Sequence, residues 1–197
     1  MSTIKIPRSR GRPRGFDPEQ AVAAAADLFR ARGFDAVSVA DVIDALGIKP
    51  PSFYSAFGSK QGLYARVLER YAAVGALPLA DILRPERPVA DNLTALLDAA
   101  ARHYAADPKA AGCLVVEGTR CNDAQAREAA LAYNLAVETQ IRDHIAERHA
   151  AEAAALTDFV ATTMFGLSAK ARNGHGLDQL LTTARLASSA IQCALMG

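Results

Sequence analysis

Apolar residues recur along this chain mainly three and four positions apart, the spacing of an amphipathic α-helix. The first run at this spacing consists of Val22, Ala25, Ala26 and Phe29. A second run, only two turns long, consists of Val39, Val42, Ile43 and Leu46. The alternation of apolar and polar residues that marks a strand is never sustained. We therefore predict an all-α protein.

Start and stop signals divide the N-terminal part of the chain into short helices. Asp17-Pro-Glu supplies an N-cap, a proline for the first helical turn and an acid that suits the positive end of the helix dipole. Gly33 can end this first helix. Ser38, followed three residues later by Asp41, predicts a capping box for a second helix, which ends at Gly47.

A third short helix is predicted over residues 50–57, because a pair of prolines can begin it and Gly58 can end it. Phe53 and Phe57 share the face that packs inward, whereas Tyr54 projects away from them. Two short helices joined by a tight glycine turn form a helix-turn-helix. The second helix of such a pair fits the major groove of DNA.

The rest of the chain is predicted to form longer helices. They run from Lys60 to about Gly75 and over 89–106, 109–121, 123–149, 152–173 and 177–196, with an irregular connection from Pro78 to Pro88. We predict three parts: a disordered basic arm over residues 1–15, a helix-turn-helix DNA-binding domain over 16–62, and a helical regulatory domain over 63–197.

Charge is unevenly distributed, although the net charge of the 197 residues is only +1. Residues 1–70 hold 11 Lys and Arg against 7 Asp and Glu, and the remainder holds 11 against 14. Five of the cations lie in the first fifteen residues without any acid, as in an arm that follows a polyanion. Within it, Arg10-Gly11-Arg12-Pro13 resembles the core of an AT-hook, so Arg12 and Arg14 are predicted minor-groove contacts. A solvated tail and a targeting peptide are the alternatives.

Several classes of protein are excluded by what the sequence lacks. No apolar run approaches the roughly 20 residues of a membrane span, and no secretory signal is present, so we expect a cytoplasmic protein without a membrane partner. The three cysteines form no CxxC pair and the four histidines lack metal-ligand spacing, so we expect no metal site. Without HExxH, P-loop, GxSxG or GxGxxG motifs we predict no catalytic residues and no cofactor, although an enzyme is the main rival from another class.

The segment GFDPEQAVAAAADLFRARGFDAVSVADVIDALGIKPPSFYSAFGSKQGLY combines a helix ending at a glycine-aromatic step, a Ser-capped short helix, Gly-Ile, a small helix containing a tyrosine, and a Phe-x-x-Lys close. Residues 10–70 thereby resemble the N-terminal domain of TetR-family transcriptional repressors. The resemblance implies a recognition helix whose DNA-facing residues are Lys49, Pro50, Ser52, Tyr54 and Ser55. It also implies that Ser38 and Lys60 hold the flanking phosphates. Pro51 departs from the family, which often has a polar residue there, so direct base readout is expected to be sparse.

Family membership would imply a repressor that a small-molecule effector releases from double-stranded DNA, with the helix from Lys60 acting as the coupling pendulum. The last two predicted helices are rich in small and aliphatic residues, and so wide an apolar face is expected to pack against another protein surface. We predict a homodimer that places two recognition helices about 34 Å apart on an inverted-repeat operator. Packing only within the subunit is the alternative. The predicted interface residues are Thr162, Phe165, Ala169, Leu180, Ala184 and Ile191.

An effector pocket is predicted among polar and aromatic residues on helices that surround a central space. Cys113, Val116, Glu117 and Arg120 would share one helical stripe. The predicted ligand-binding residues are Tyr71, His103, Tyr104, Cys113, Glu117, Arg120, Asn134, Phe159 and Thr163. Cys113 also resembles the redox-active cysteine of some electrophile-sensing members, and Lys109 or Arg120 could lower its pKa. A redox- or electrophile-sensing repressor and a DNA-binding protein without ligand control are the alternatives.

Overall fold

The computed structural model describes residues 17–196, so the basic arm, with Arg12 and Arg14, lies outside the described residues. In the described part, α-helices joined by turns and loops make up the structure, and no strand is present. Its helices are α1 Pro18–Arg32, α2 Val39–Leu46, α3 Pro50–Phe57, α4 Lys60–Val74, α5 Leu79–Ile82, α6 Val89–Ala105, α7 Leu114–Gly118, α8 Ala124–Ala146, α9 Ala153–Arg172 and α10 Leu177–Met196. The predicted all-α class is confirmed. Between residues 17 and 196, no helix is both long and apolar enough to cross a membrane.

The first two helices begin and end at the predicted residues. The Asp17 carboxylate accepts a hydrogen bond from the Glu19 amide, 2.9 Å away, and Gly33 ends α1. At α2, the Ser38 hydroxyl accepts from the Asp41 amide while the Asp41 carboxylate accepts from the Ser38 amide, which completes the capping box. Gly47 then ends α2 in the left-handed conformation, with φ 60°. The caps therefore fix the turn that leads into α3.

The prediction of a helix over residues 109–121 is wrong, because α7 spans only Leu114–Gly118. Ahead of it the chain makes a turn after Pro108 and then places Gly112 at φ 87°, a conformation that breaks a helix. Cys113 consequently lies just before α7, at its N-cap position and without a side-chain capping hydrogen bond, and Arg120 lies beyond the end of α7. The connection from residue 78 to 88 also differs, since it contains the one-turn helix α5.

Two hydrophobic cores account for most of the buried side chains in the described chain. The first joins α1–α4 to α7 and the beginning of α8, and Phe29, Phe53, Leu63 and Tyr64 are among its fully buried members. The second lies between α6, the end of α8, α9 and α10. The first core crosses the predicted boundary at residue 62, because α4, α7 and α8 all contribute to it. The division into domains stays a prediction.

Three residues predicted at the dimer interface lie in the second core instead. Leu180, Ala184 and Ile191 are at most 2 % exposed, since this face of α10 packs within the subunit. They are therefore unable to contact a partner in this arrangement. The apolar stripe read from the sequence is the inner face of α10, and its outer face carries Leu186, which is 70 % exposed.

Candidate DNA-binding surface and ligand cavity

The outer face of α3 is a small exposed surface built on buried aromatic rings. Phe53 and Phe57 are buried with ring centroids 5.6 Å apart. The Tyr54 ring meets Phe53 edge-on at 5.2 Å and is 53 % exposed. Three other predicted DNA contacts, Lys49, Pro50 and Ser55, are also exposed, and Ser52 is half-buried. Each of the five residues predicted to face DNA is therefore at least partly exposed, and their contact with DNA stays a prediction.

Two close contacts hold α3 in place. After Gly47, the Ile48 amide donates to the Ile43 carbonyl at 3.2 Å, which fixes the turn between α2 and α3. At the other end, a Cβ added to Gly62 would lie 2.2 Å from the Phe57 carbonyl oxygen. Only glycine therefore allows the start of α4 to approach the end of α3 this closely.

The two predicted phosphate-binding residues already have partners within the chain. The Ser38 hydroxyl donates a hydrogen bond to the Asp41 carboxylate, so it would have to break this bond before it could donate to a phosphate. The Lys60 ammonium lies 3.9 Å from the centroid of the Phe34 ring, a cation–π contact. Burial lowers the pKa of Lys60 from its usual value, while Asp35 and Asp123 act in the opposite direction. Both phosphate contacts stay predictions.

A cavity of about 90 Å³ lies where the two cores meet. It is lined by Tyr71, Ala72, Ala76, Leu77, Leu79, His103, Tyr104, Cys113, Val115, Val116, Tyr133, Asn134, Val137, Glu138, Ile141, Ala161, Met164 and Phe165. Two of these residues, Ala72 and Ala76, are exposed, so the cavity opens to solvent beside the end of α4. Five of the nine predicted ligand-binding residues line it: Tyr71, His103, Tyr104, Cys113 and Asn134.

Polar groups cluster at one end of this cavity. The Tyr71 hydroxyl lies 3.0 Å from Nε2 of His103 and 3.6 Å from Sγ of Cys113. Burial, followed by the nearby Arg30 guanidinium, lowers the pKa of His103, so its imidazole is neutral at pH 7. Burial also raises the pKa values of Tyr71 and Tyr104 above their usual range. This end of the cavity therefore presents uncharged hydrogen-bonding groups.

The prediction that Lys109 or Arg120 lowers the pKa of Cys113 is wrong. Burial raises the pKa of this thiol, and backbone and Tyr71 hydrogen bonds oppose the rise only in part. Arg120 instead pairs with Glu117 at 2.9 Å, and Lys109 is exposed. The thiol is therefore protonated at neutral pH.

Comparison with known proteins identifies the fold and the family. Residues 21–67 match the family described as bacterial regulatory proteins, tetR family. The chain is 54 % identical over 195 residues to the HTH-type transcriptional repressor BdcR of Escherichia coli strain K12, covering 99 % of each chain. The chain belongs to the TetR family. It is also 30 % identical over 206 residues to the HTH-type transcriptional repressor ComR of the same organism, covering 94 % of this chain and 95 % of ComR.

A solved TetR-family structure has the same fold. It contains a cysteine mutant of the regulator CifR complexed with 26-bp double-strand operator DNA. The two proteins superpose with a TM-score of 0.82 at 30 % identity, and the match covers 91 % of this chain and 99 % of that one. The function predicted from the sequence, a TetR-family DNA-binding transcriptional regulator, is confirmed.

Four residues predicted to bind ligand lie outside the cavity of this TetR-family protein. Glu117 faces Arg120 and Arg172, because α7 is too short to carry a continuous stripe into the cavity. Phe159 and Thr163 line a groove between α9 and α10, which we call the α9–α10 groove. Its other lining residues are Gly166, Leu167, Ala169, Lys170, Asn173, Thr183, Leu186, Ala187 and Ala190.

The remaining predicted interface residues lie on α9. Ala169 lines the α9–α10 groove, Thr162 is exposed, and Phe165 lines the cavity instead. Sequence reasoning missed several residues that shape the site, among them Tyr133 and Glu138 on α8, which also line the cavity. No short motif marks them, since their role depends on how α8 packs against α4 and α9.

Contacts distant in sequence tie the helix-turn-helix part to the rest of this TetR-family chain. The Arg172 guanidinium, at the end of α9, donates to the Arg30 carbonyl of α1 at 2.5 Å and to the Ala111 carbonyl at 3.3 Å. Its Nε lies 3.8 Å from the Glu117 carboxylate. These contacts, which we call the Arg172 clamp, join α9 to α1 and α7.

The start of α4 is tied to α8 as well. The Gln61 side-chain amide donates to the Asp123 carboxylate at 2.6 Å. The Asn122 amide donates to the Asp35 carboxylate at 2.9 Å. These two bonds join the start of α8 to the first turn of α4 and to the loop that follows α1.

Proposed function

We propose that this protein represses transcription in the cytoplasm as a homodimer on an inverted-repeat operator, and that a small molecule in the cavity releases it. We assign it no catalytic activity. The observation that carries the proposal is the exposed Tyr54 surface of α3, seated on buried Phe53 and Phe57. The repressor name of BdcR and the operator complex of CifR support it.

Operator binding can be tested once bound fragments have been selected from genomic DNA with the purified protein. We expect Tyr54→Ala to weaken binding of the selected duplex, measured by fluorescence anisotropy, by about tenfold, since the loss of one base contact costs roughly 1–3 kcal/mol. Its melting temperature should barely change, because the side chain is half exposed. Val74→Ala, at a residue 73 % exposed on α4, is the matched control. Equal affinity of the two variants would remove α3 from the DNA interface.

The α9–α10 groove is the surface we propose for the partner subunit. Phe159 and Leu186 are 41 % and 70 % exposed, and small residues such as Gly166 and Ala190 between them allow helices to approach closely. We expect Leu186→Glu to convert a dimer to a monomer in size-exclusion chromatography with light scattering. Leu135→Glu, at a residue 63 % exposed on α8, is the matched control. If Leu186→Glu stays dimeric, as Leu135→Glu is expected to, the α9–α10 groove is not the dimer interface.

Release is proposed to work through α4, whose two ends have different neighbours. Its first turn contacts α8 through Gln61, and its last turn places Tyr71 in the cavity. A ligand that contacts Tyr71 more favourably when α4 is tilted would favour the wrong spacing of the two recognition helices. The corresponding test is loss of operator binding when a ligand is added. A protein without ligand control would keep its operator affinity.

Electrophile sensing through Cys113 is the second candidate, favoured by the position of this thiol in the cavity wall. The raised pKa of Cys113 opposes it, since the thiolate is the reactive form. If Cys113 is the sensor, Cys113→Ser must abolish release by an electrophile such as N-ethylmaleimide. Cys193→Ser, at an exposed cysteine on α10, is the control. Release that survives in Cys113→Ser would reject this candidate.

A further inference from the structure

The charges around the cavity are unusual for a site that would hold an acid. Neither lysine nor arginine is among the described residues that line it, and its one carboxylate belongs to Glu138. The Arg30 guanidinium, close enough to lower the pKa of His103, donates to the Ala110 carbonyl at 3.4 Å and does not line the cavity. A bound carboxylate or phosphate would therefore lose its water without gaining a cationic partner, and Glu138 would repel it.

The polar end has a spare hydrogen-bond acceptor. The Tyr71 hydroxyl carries one hydrogen, which it donates to either His103 or Cys113. In the first case its oxygen is free to accept, and in the second it accepts from His103 and still has a second lone pair. The oxygen of Tyr71 can therefore accept a hydrogen bond from a ligand in both tautomers of His103.

The α8 side of the cavity also offers more acceptors than donors. The Asn134 side-chain amide donates to one carboxylate oxygen of Glu138 at 2.7 Å. That bond leaves the second Glu138 oxygen and the Asn134 carbonyl oxygen to accept. Most other lining side chains are apolar, including Leu77, Val116 and Met164. At about 90 Å³, the cavity is also well below the roughly 300–1,000 Å³ of pockets for drug-sized ligands.

We propose that this cavity binds small, mostly apolar molecules that carry a hydrogen-bond donor and no negative charge, such as a short-chain or cyclic alcohol, and rejects carboxylates. The Tyr71 oxygen accepts a hydrogen bond from the ligand, and the Glu138 carboxylate repels anions. The proposal rests on the proposed function only for its regulatory consequence, because binding can be measured without DNA.

The first experiment compares two probes that share a cyclopentyl ring and differ in charge: cyclopentanol and cyclopentanecarboxylate. Binding to the full chain is measured by isothermal titration calorimetry at pH 7. We expect cyclopentanol to bind at least about tenfold more tightly than the carboxylate, because the anion pays a desolvation cost that a cavity without a cationic lining residue does not return. Any smaller ratio, or no binding of cyclopentanol, overturns the proposal.

The second experiment tests which residues select the ligand. Tyr71→Phe keeps the ring and removes the acceptor, and we expect it to weaken cyclopentanol binding about fivefold or more. Tyr54→Phe makes the same change on the surface of α3 and should leave cyclopentanol binding unaltered. Equal affinities of the two variants overturn the assignment of Tyr71. A thermal melt of each variant shows whether its fold is kept.

Glu138→Gln provides a variant that keeps the size of a half-buried side chain and removes its charge. We expect it to narrow the preference for cyclopentanol over cyclopentanecarboxylate, because the repulsion of the anion is lost. An unchanged preference overturns the role of Glu138. If cyclopentanol binds but operator affinity stays constant, ligand-induced release fails while the ligand class stands. If another molecule releases the operator and cyclopentanol does not bind, the ligand class fails while ligand-induced release stands.

Discussion

Removing the Arg172 clamp should destabilise the protein far more than removing a surface arginine. The Arg172 side chain is 23 % exposed, and its guanidinium reaches the Arg30 and Ala111 carbonyls and the Glu117 carboxylate. A hydrogen bond to a charged group contributes roughly 1.5–3 kcal/mol, and the partners share one side chain, so we expect Arg172→Ala to cost about 2–3 kcal/mol. For a chain of this size that is a fall in melting temperature of roughly 4–12 °C.

Arg102→Ala is the matched control, because Arg102 is 58 % exposed and pairs with Asp98, one helical turn away. Such a pair contributes about 0.3–0.5 kcal/mol, so its loss should shift the melting temperature by about 2 °C or less. Both variants are compared by differential scanning calorimetry at one protein concentration, since association raises the apparent stability. Similar melting temperatures for the two variants would refute the clamp as a structural tie.

Three further predictions concern the backbone, the capping box and the basic arm. Gly112→Ala should be more destabilising than Gly174→Ala in chemical denaturation: both glycines have positive φ, but a Cβ at Gly112 would lie 2.9 Å from Arg172 Cγ and one at Gly174 meets nothing within 4 Å. Equal losses of unfolding free energy in the two variants would show that Arg172 moves away from the added Cβ without a cost in stability. The capping box and Arg32 hold the pKa of Asp41 well below its usual value, so its contribution is complete above the unfolded-state pKa near 4 and is lost as pH falls below it. The stability gap between wild type and Asp41→Asn should therefore narrow under acid, and a gap independent of pH would contradict this. Deleting residues 1–14 should flatten the plot of log operator affinity against log salt, by about 0.9 in slope for each phosphate that the arm neutralises. An unaltered slope would show that the arm neutralises no phosphates, as expected of a solvated tail.

The helices that the sequence predicts correctly are those with local causes. Asp17, Ser38 and Gly47 act on neighbours within a few residues, so their caps could be predicted without knowing the fold. The helix over 109–121 fails for the opposite reason. Gly112 adopts φ 87° where it lies against Ser168 and Arg172, more than fifty residues away, and local propensity does not report that contact.

The prediction of the dimer surface shows a second limit. Helix α10 carries apolar residues on both its inner and outer faces, so periodicity finds a stripe without saying which side is covered. Leu180 and Leu186 are equally apolar in the sequence, yet one is 1 % and the other 70 % exposed. Only the packing of α10 on α6 separates them.

The ligand cavity was partly predictable, because aromatic and polar residues on long helices often line a pocket. His103 and Asn134 lie in it as expected, whereas Glu117 turns away to Arg172. The reason is the length of α7: one turn and a half is too short for residues 113 and 120 to share a face. A stripe argument holds only when the helix that carries the stripe is continuous.

The position of the cavity between the two cores limits how a ligand can act. Tyr71 and Val115 belong to the first core and Tyr104 and Met164 to the second, and Cys113 packs against both. A ligand that contacts both cores can change their relative position only by as much as it prefers one arrangement, and a hundredfold loss of operator affinity requires about 2.7 kcal/mol. That is close to our value for the Arg172 clamp, which also spans the cores. The clamp joins α9 of the second core to α1 and α7 of the first, so a ligand that moves one core against the other also has to strain these contacts.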